Sequence, residues 1–255
     1  MSRIVGVHGA FHELWGPNQL ASRWLPAVRD GLWHHDVSLD ASGFAVAFYG
    51  DLFRHSAEEG RPERAELEAV ASASGFLASV EDEFGPEGLE VLAELVGRET
   101  LRALVDQAAR YFAEEDLRQA VRQRLADVIR PDTRVVVAHS MGTIVAYEAL
   151  AEHPEWPVTT FVTIGSPLGN DFVFDSLSPS PEGGIGAWPG SIETWANVAA
   201  VDDPVIDEPN LARRFGDRVV DIAVDNGRDA HRAEPYLNAA ATGAVIALAL
   251  RSAER

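Results

Sequence analysis

The pentapeptide Ala138–Gly142, which has Ser140 at its centre, limits the possible folds of this chain more than any other segment. The segment Arg134–Val137, with three consecutive β-branched valines, precedes it, and a helical pattern over residues 143–150 follows it. A serine at a sharp turn from strand to helix is held in a strained conformation that lifts its hydroxyl above the sheet. The positions two before and two after such a serine must be small because the two backbones nearly touch. An alanine and a glycine stand there, so we predict that Ser140 is a nucleophile.

The rest of the chain alternates between strand and helix patterns. Helical spacing of apolar residues occurs over residues 18–32 and 235–250. Strands separated by helices pair in parallel, with helices on both faces of the sheet. We therefore predict one α/β domain over residues 1–255 with a mostly parallel central sheet. Its strands are predicted at residues 4–7, 44–49, 134–138, 158–164, 193–200 and 218–224.

Residues 54–130 are too many for one crossover between the second and third predicted strands. Their acidic and apolar residues follow helical patterns around Ala65–Val80, Pro86–Tyr111 and Glu114–Ile129. We predict that 54–130 is a helical insertion before the nucleophile strand, part of which caps the site. The alternative is that it only extends the outer helix layer.

Composition excludes several kinds of chemistry. The chain has no cysteine, and all 21 of its Lys and Arg residues are arginine, so thiol nucleophiles, lysine Schiff bases and the lysine of phosphate-binding loops are ruled out. The net charge of −19 argues against nucleic acid and anionic membrane surfaces as partners. The pairs His12–Glu13 and His34–His35 lack further ligands at metal-binding spacing, so we expect neither a metal nor another cofactor.

A serine hydroxyl needs a base, normally a histidine oriented by a carboxylate. The Ser140 turn resembles that of the α/β-hydrolases, and this resemblance implies that the acid and the histidine follow the nucleophile in the chain. Only His153 and His231 follow Ser140. His153 ends the helix that the serine begins and cannot easily reach back. We therefore predict His231 as the base. The acid is expected just beyond the fifth strand, with Asp203 favoured and Asp202 the alternative.

The oxyanion of an acyl-transfer reaction needs two backbone N–H donors. Met141, the residue after the nucleophile, is predicted to supply one. Ala10, in the loop after the first strand, is predicted to supply the other, with Phe11 as the second choice. Phe11 is also a candidate for substrate binding, as is Asp51 at the end of the second strand, where a turn cap is the alternative role.

These motifs together resemble the α/β-hydrolase family, in its lipase and esterase branch. The resemblance is carried by Val7–Gly9, Ala138–Gly142, Asp203–Val205 and His231, and it covers residues 3–10, 132–165 and 193–250. It implies an α/β-hydrolase sheet that lacks the family's first two strands, because the chain starts at the strand that carries His-Gly. It also implies the activity of a serine esterase.

We therefore expect a serine hydrolase that cleaves a small-molecule carboxylic ester through an acyl-enzyme on Ser140. The same apparatus would serve an amidase or a thioesterase. The competing expectation is a non-hydrolytic isomerase, cyclase or ligand-binding protein on the same scaffold. Neither a signal peptide nor a membrane-spanning run is evident in the sequence, so a cytoplasmic location is expected.

Overall fold

The computed structural model describes residues 3–54, 107–206 and 208–253. The predictions made for residues 55–106 of the insertion lie outside these ranges. The described residues contain one six-stranded sheet whose neighbouring strands all pair in parallel. The predicted α/β fold with a mostly parallel sheet is therefore confirmed. The strands are β1 (Ile4–Val7), β2 (Phe44–Ala47), β3 (Val135–His139), β4 (Thr160–Ile164), β5 (Thr194–Ala200) and β6 (Val219–Val224).

Helices connect and flank these strands. The described helices are α1 (Pro17–Trp33), α2 (Glu115–Ala126), α3 (Met141–Glu152), α4 (Asp171–Asp175), α5 (Ala212–Phe215), α6 (Ala233–Asn238) and α7 (Ala240–Ser252). Residues 107–113 are also helical and precede α2, and short 3₁₀ turns lie at Ala41–Gly43, Gly50–Phe53 and Gly227–Asp229. In the described parts of the chain, no helix combines the length and the apolar character needed to cross a membrane.

The predicted last helix over 235–250 is two helices, because Ala239 between them has an extended backbone (φ −56°, ψ 132°). The break lets α6 and α7 both contact α1. At the crossing, a Cβ on Gly31 would lie 2.3 Å from the carbonyl oxygen of Leu237, and one on Gly243 would lie 1.9 Å from that of Gly31. Only glycine permits this approach of two helix backbones. The helical periodicity of the sequence indicates the apolar face of this segment but does not indicate the break at Ala239.

The sheet is buried on both faces. Alternate side chains of a strand point to opposite faces, and β1 and β3 divide in this way. Val5 and Val136 belong to the apolar cluster that includes α2 and α3, whereas Ile4 and Val135 belong to the cluster that includes α1, α6 and α7. The continuous apolar runs of the central strands follow from this double burial.

The strand order, β2-β1-β3-β4-β5-β6, determines where a site can form. The chain leaves β1 in one direction to build β2 and returns to the other side of β1 to build β3. The loops after β1 and β3 therefore leave on either side of a crevice at the carboxyl ends of two adjacent strands. Ligands of open α/β sheets bind at such a switch point. Ser140 follows β3, and the predicted oxyanion loop follows β1.

A buried carboxylate joins the helical segment before β3 to the sheet domain. Glu148 of α3 accepts hydrogen bonds from the Tyr111 hydroxyl at 2.7 Å, from Arg118 Nε at 2.9 Å, from Arg122 Nη1 at 3.3 Å and from the backbone N–H of Ser178 at 3.0 Å. The side chain of Glu148 has no exposed surface. A buried charge is tolerated only when it is paired and hydrogen-bonded in this way.

Candidate active site

The backbone of Ser140 has the strained conformation expected of a nucleophile at a sharp turn. Its φ of 53° and ψ of −133° lie outside the regions that L-residues ordinarily occupy. Such strain costs about 1–3 kcal/mol and persists only where the surroundings enforce it. α3 begins at the next residue, Met141, so the positive end of a 12-residue helix lies beside the serine.

Two glycines make room for this turn. A Cβ on Gly142 would lie 2.5 Å from the carbonyl oxygen of Val7 and 2.3 Å from that of His8, because the start of α3 contacts the end of β1. A Cβ on Gly9 would lie 2.7 Å from the Cβ of Ser140. The requirement for a small residue two positions after the serine therefore has a direct steric cause. A glycine is required at position 9 as well, because the loop after β1 lies against Ser140 itself.

Ser140, His231 and Asp203 form one hydrogen-bonded chain. The Nδ1 atom of His231 lies 2.9 Å from each carboxylate oxygen of Asp203, and its Nε2 atom lies 3.0 Å from Ser140 Oγ. Because an ionised carboxylate can only accept, Nδ1 carries the imidazole proton and Nε2 accepts the serine proton. This is the arrangement in which a histidine can remove a proton from serine.

Asp203 and Asp202 face different surroundings. Asp203 is buried, at 5% exposure, whereas Asp202 is exposed, and only Asp203 contacts His231. Burial by itself raises the pKa of the Asp203 carboxyl, but hydrogen bonds from His231, Tyr236 and the Val205 backbone outweigh it and hold that pKa below its ordinary value. The carboxylate therefore stays ionised beside the imidazole.

The loop after β1 is held by two histidines. His8 accepts a hydrogen bond at Nε2 from the backbone N–H of Tyr49 at 3.1 Å and donates from Nδ1 to the carbonyl of Gly9 at 2.6 Å. His12 donates from Nδ1 to the carbonyl of Ala10 at 2.8 Å. In a planar trans peptide the N–H points away from the preceding carbonyl. The N–H groups of Ala10 and Phe11 therefore point away from these histidines, and both remain candidates for the second oxyanion donor.

The two substrate-binding candidates have different environments. Phe11 is 37% exposed and has a positive φ of 69°, which is uncommon for an aromatic residue. Asp51 accepts a hydrogen bond from Arg124 Nη2 at 2.7 Å, so its carboxylate contributes to an ion pair with α2. His153, set aside as a base, lies 2.9 Å from Glu155 and is stacked on Trp156.

Three further residues of the site were not singled out by the sequence analysis. His139 donates from Nε2 to the carbonyl of His231 at 2.7 Å, and Tyr236 donates from its hydroxyl to Asp203 Oδ2 at 2.7 Å. Gly165 has a φ of +56°, and a Cβ there would lie 3.2 Å from Asp203 Oδ2 and 3.3 Å from His231 Nδ1. A glycine directly after a predicted strand was a signal for such a close approach, whereas nothing local marks the tyrosine.

The buried histidines of the site are neutral. Burial lowers the pKa of His8 and of His139 to about 3. His139 is 7% exposed, and its Nδ1 has no hydrogen-bond partner in the part of the chain that the structure describes. Residues 3–54, 107–206 and 208–253 contain no group of three or more His, Asp or Glu side chains that could hold a metal ion.

Comparison with known proteins does not place the chain in a family. No protein-family model matches the chain, and a search of curated proteins finds no match.

Proposed function

We propose that this protein is a serine hydrolase of the α/β-hydrolase type that cleaves a carboxylic ester through an acyl-enzyme on Ser140. The observation that carries the proposal is the unbroken hydrogen-bonded chain from Asp203 through His231 to Ser140 Oγ. A protein that only binds a ligand has no need of all three groups in this order.

In the proposed reaction, Ser140 Oγ attacks the ester carbonyl carbon while His231 Nε2 takes the hydroxyl proton. The carbonyl oxygen becomes an oxyanion, which accepts hydrogen bonds from the N–H of Met141 and from that of Ala10 or Phe11. The oxyanion collapses, and the imidazolium gives its proton to the leaving alcohol oxygen as the C–O bond breaks. Water then attacks the acyl-enzyme, with the same imidazole as base, and releases the carboxylic acid and Ser140.

Asp203 has two functions in this scheme. Its carboxylate keeps the proton on Nδ1 of His231, so that Nε2 can act as the base, and its charge stabilises the imidazolium that forms. Neutral histidines at positions 8 and 139 add no competing positive charge near the base.

A fluorophosphonate probe tests the proposal on the intact protein. The Ser140 oxygen would displace fluoride from phosphorus, and mass spectrometry of the digested protein would locate the adduct. We expect labelling of the wild type and of Ser22→Ala, a variant of an exposed serine, and no labelling of Ser140→Ala. A wild-type protein that stays unlabelled would contradict the proposal and favour a non-hydrolytic function.

The two adjacent aspartates provide a matched test of the acid. With p-nitrophenyl esters of increasing acyl length, Asp203→Asn should lose about a thousandfold or more in kcat because the amide no longer favours the productive tautomer. Asp202→Asn should keep activity within about twofold, since its carboxylate is exposed. Equal losses in the two variants would refute the assignment of Asp203.

A further inference from the structure

The hydroxyl of Tyr236 lies between the catalytic candidate Asp203 and the strand that precedes it. It donates to Asp203 Oδ2 at 2.7 Å and accepts from the backbone N–H of Ala200, the last residue of β5, at 2.9 Å. The side chain of Tyr236 is fully buried. A phenol with both hydrogen-bonding roles filled inside the protein is held in one orientation.

The direction of these two hydrogen bonds is fixed by chemistry. The amide of Ala200 can only donate, so the hydroxyl oxygen of Tyr236 is the acceptor there and its single proton must go to Asp203. Burial, with the nearby carboxylate, raises the pKa of Tyr236 well above its ordinary value, so the proton stays on the phenol. Tyr236 is therefore a permanent donor to the acid.

The carboxylate of Asp203 has few other donors. Oδ1 accepts from the backbone N–H of Val205 at 3.0 Å, within the same turn, and both oxygens face Nδ1 of His231. Among the described residues, Tyr236 is the only donor from outside that turn besides the base itself. One donor on each oxygen prevents the carboxylate from rotating away from the imidazole.

The packing around this group leaves little freedom to compensate. Gly165 leaves space beside the acid, the base and the ring of Tyr236. A Cβ at that position would lie 3.2 Å from Asp203 Oδ2, 3.3 Å from His231 Nδ1 and 3.3 Å from Tyr236 Cε2. Tyr236 lies in α6, which begins two residues after His231. One short segment thus carries the base and the side chain that holds the acid.

We propose that Tyr236 is a positioning residue for the hydrolytic reaction. Its hydroxyl holds the Asp203 carboxylate against His231, so that the negative charge is in place when the imidazolium forms during acylation of Ser140. This inference rests on the proposed function, because it concerns a charge that develops only in that reaction. Tyr236 itself contacts neither the substrate nor the reacting atoms.

Tyr236→Phe tests the inference, since it removes only the hydroxyl. The matched control is Tyr147→Phe, which also removes the hydroxyl of a buried tyrosine, one that donates to the carbonyl of Ala187 at 2.8 Å. With a p-nitrophenyl ester, Tyr236→Phe should lower kcat by about tenfold or more and leave KM within about twofold, because a hydrogen bond to a charged group is lost where charge develops. Tyr147→Phe should change neither constant beyond about twofold.

A spectroscopic readout separates positioning from general loss of stability. The proton on Nδ1 of His231, shared with the Asp203 carboxylate, should give a low-field ¹H NMR signal that shifts in Tyr236→Phe and not in Tyr147→Phe. If Tyr236→Phe does not fold, biosynthetic incorporation of 3-fluorotyrosine keeps every hydroxyl and strengthens it as a donor. The same signal should then shift in the otherwise wild-type protein, and an unchanged signal would overturn the inference.

The outcomes for the inference and for the proposed function can be told apart. Suppose that the fluorophosphonate labels Ser140 in the wild type, and that both phenylalanine variants keep the wild-type kcat and the wild-type His231 signal. This result would overturn the inference alone. A wild type without any adduct at Ser140 would overturn the proposed function, and the inference with it.

Discussion

Acidification from pH 7 to pH 5 should destabilise this protein through two buried histidines. His8 and His139 are 1% and 7% exposed, and burial lowers the pKa of each from 6.5 to about 3. In the unfolded chain both regain the ordinary value. Between these two pKa values the unfolded state binds one more proton at each histidine than the folded state does. Stability is therefore fully present above pH 6.5 and is lost as the pH falls towards 3.

The magnitude follows from this difference in bound protons. Each pH unit within the window costs about 1.4 kcal/mol for each histidine. From pH 7 to pH 5 the loss integrates to about 2 kcal/mol for one histidine and about 4 kcal/mol for both. The result depends little on the exact folded pKa, because pH 5 lies well above it. This loss is a large fraction of the roughly 5–15 kcal/mol that stabilises an ordinary domain.

Urea denaturation at pH 7 and pH 5 measures the effect. The loss of unfolding free energy between the two pH values should be smaller by about 2 kcal/mol in His139→Gln than in the wild type. His34→Gln is the control, because His34 is exposed, and it should retain the full wild-type loss. Protonation of surface carboxylates is common to all three proteins and cancels in the comparison. An equal loss in His139→Gln and the wild type would show that His139 does not couple protonation to unfolding.

Two further predictions concern close approach and buried charge. Gly165→Ala places a methyl group 3.2 Å from Asp203 Oδ2 and should lower kcat for a p-nitrophenyl ester by about ten- to a hundredfold. Gly183→Ala is the control, because Gly183 has a similar positive φ and no atom within 4 Å of its Cβ. It should lose a similar free energy of unfolding in urea through backbone strain and keep the wild-type kcat. Equal activities would exclude the proposed crowding. Glu148→Gln leaves Arg118 without its buried anion and should lower the unfolding free energy by about 3–5 kcal/mol, and a loss below 1 kcal/mol would contradict this account.

Much of the fold could be predicted from the sequence because its signals are local. The described strands consist mainly of apolar and β-branched residues, and each strand prediction overlaps an observed strand. The predicted and observed strand ends differ by at most two residues. The second strand ends at Ala47, whereas residue 49 was predicted, and the fourth begins at Thr160, whereas residue 158 was predicted. A strand ends where its hydrogen bonds to the neighbouring strand end. That point depends on the register between the two strands, and the side-chain pattern of one segment does not contain this register.

Of the candidate site, the sequence identified the residues whose chemistry is marked by motif or chain order. Ser140 sits in a recognisable turn, and His231 was one of only two histidines after it. Composition further left arginine as the only strong cation and excluded thiol chemistry. These conclusions need no tertiary information, because they depend on local sterics and on which functional groups the chain contains.

Which side chains meet at the carboxyl end of the sheet depends on long-range packing. Asp202 and Asp203 carry the same side chain at adjacent positions, but the turn after β5 buries Asp203 and exposes Asp202. Tyr236 and His139 make their contacts because the strand order brings residues that are 33 and 92 positions apart in the chain to one sheet edge. Chain order specifies which side chains are available, whereas their convergence depends on long-range packing of the sheet and its helices.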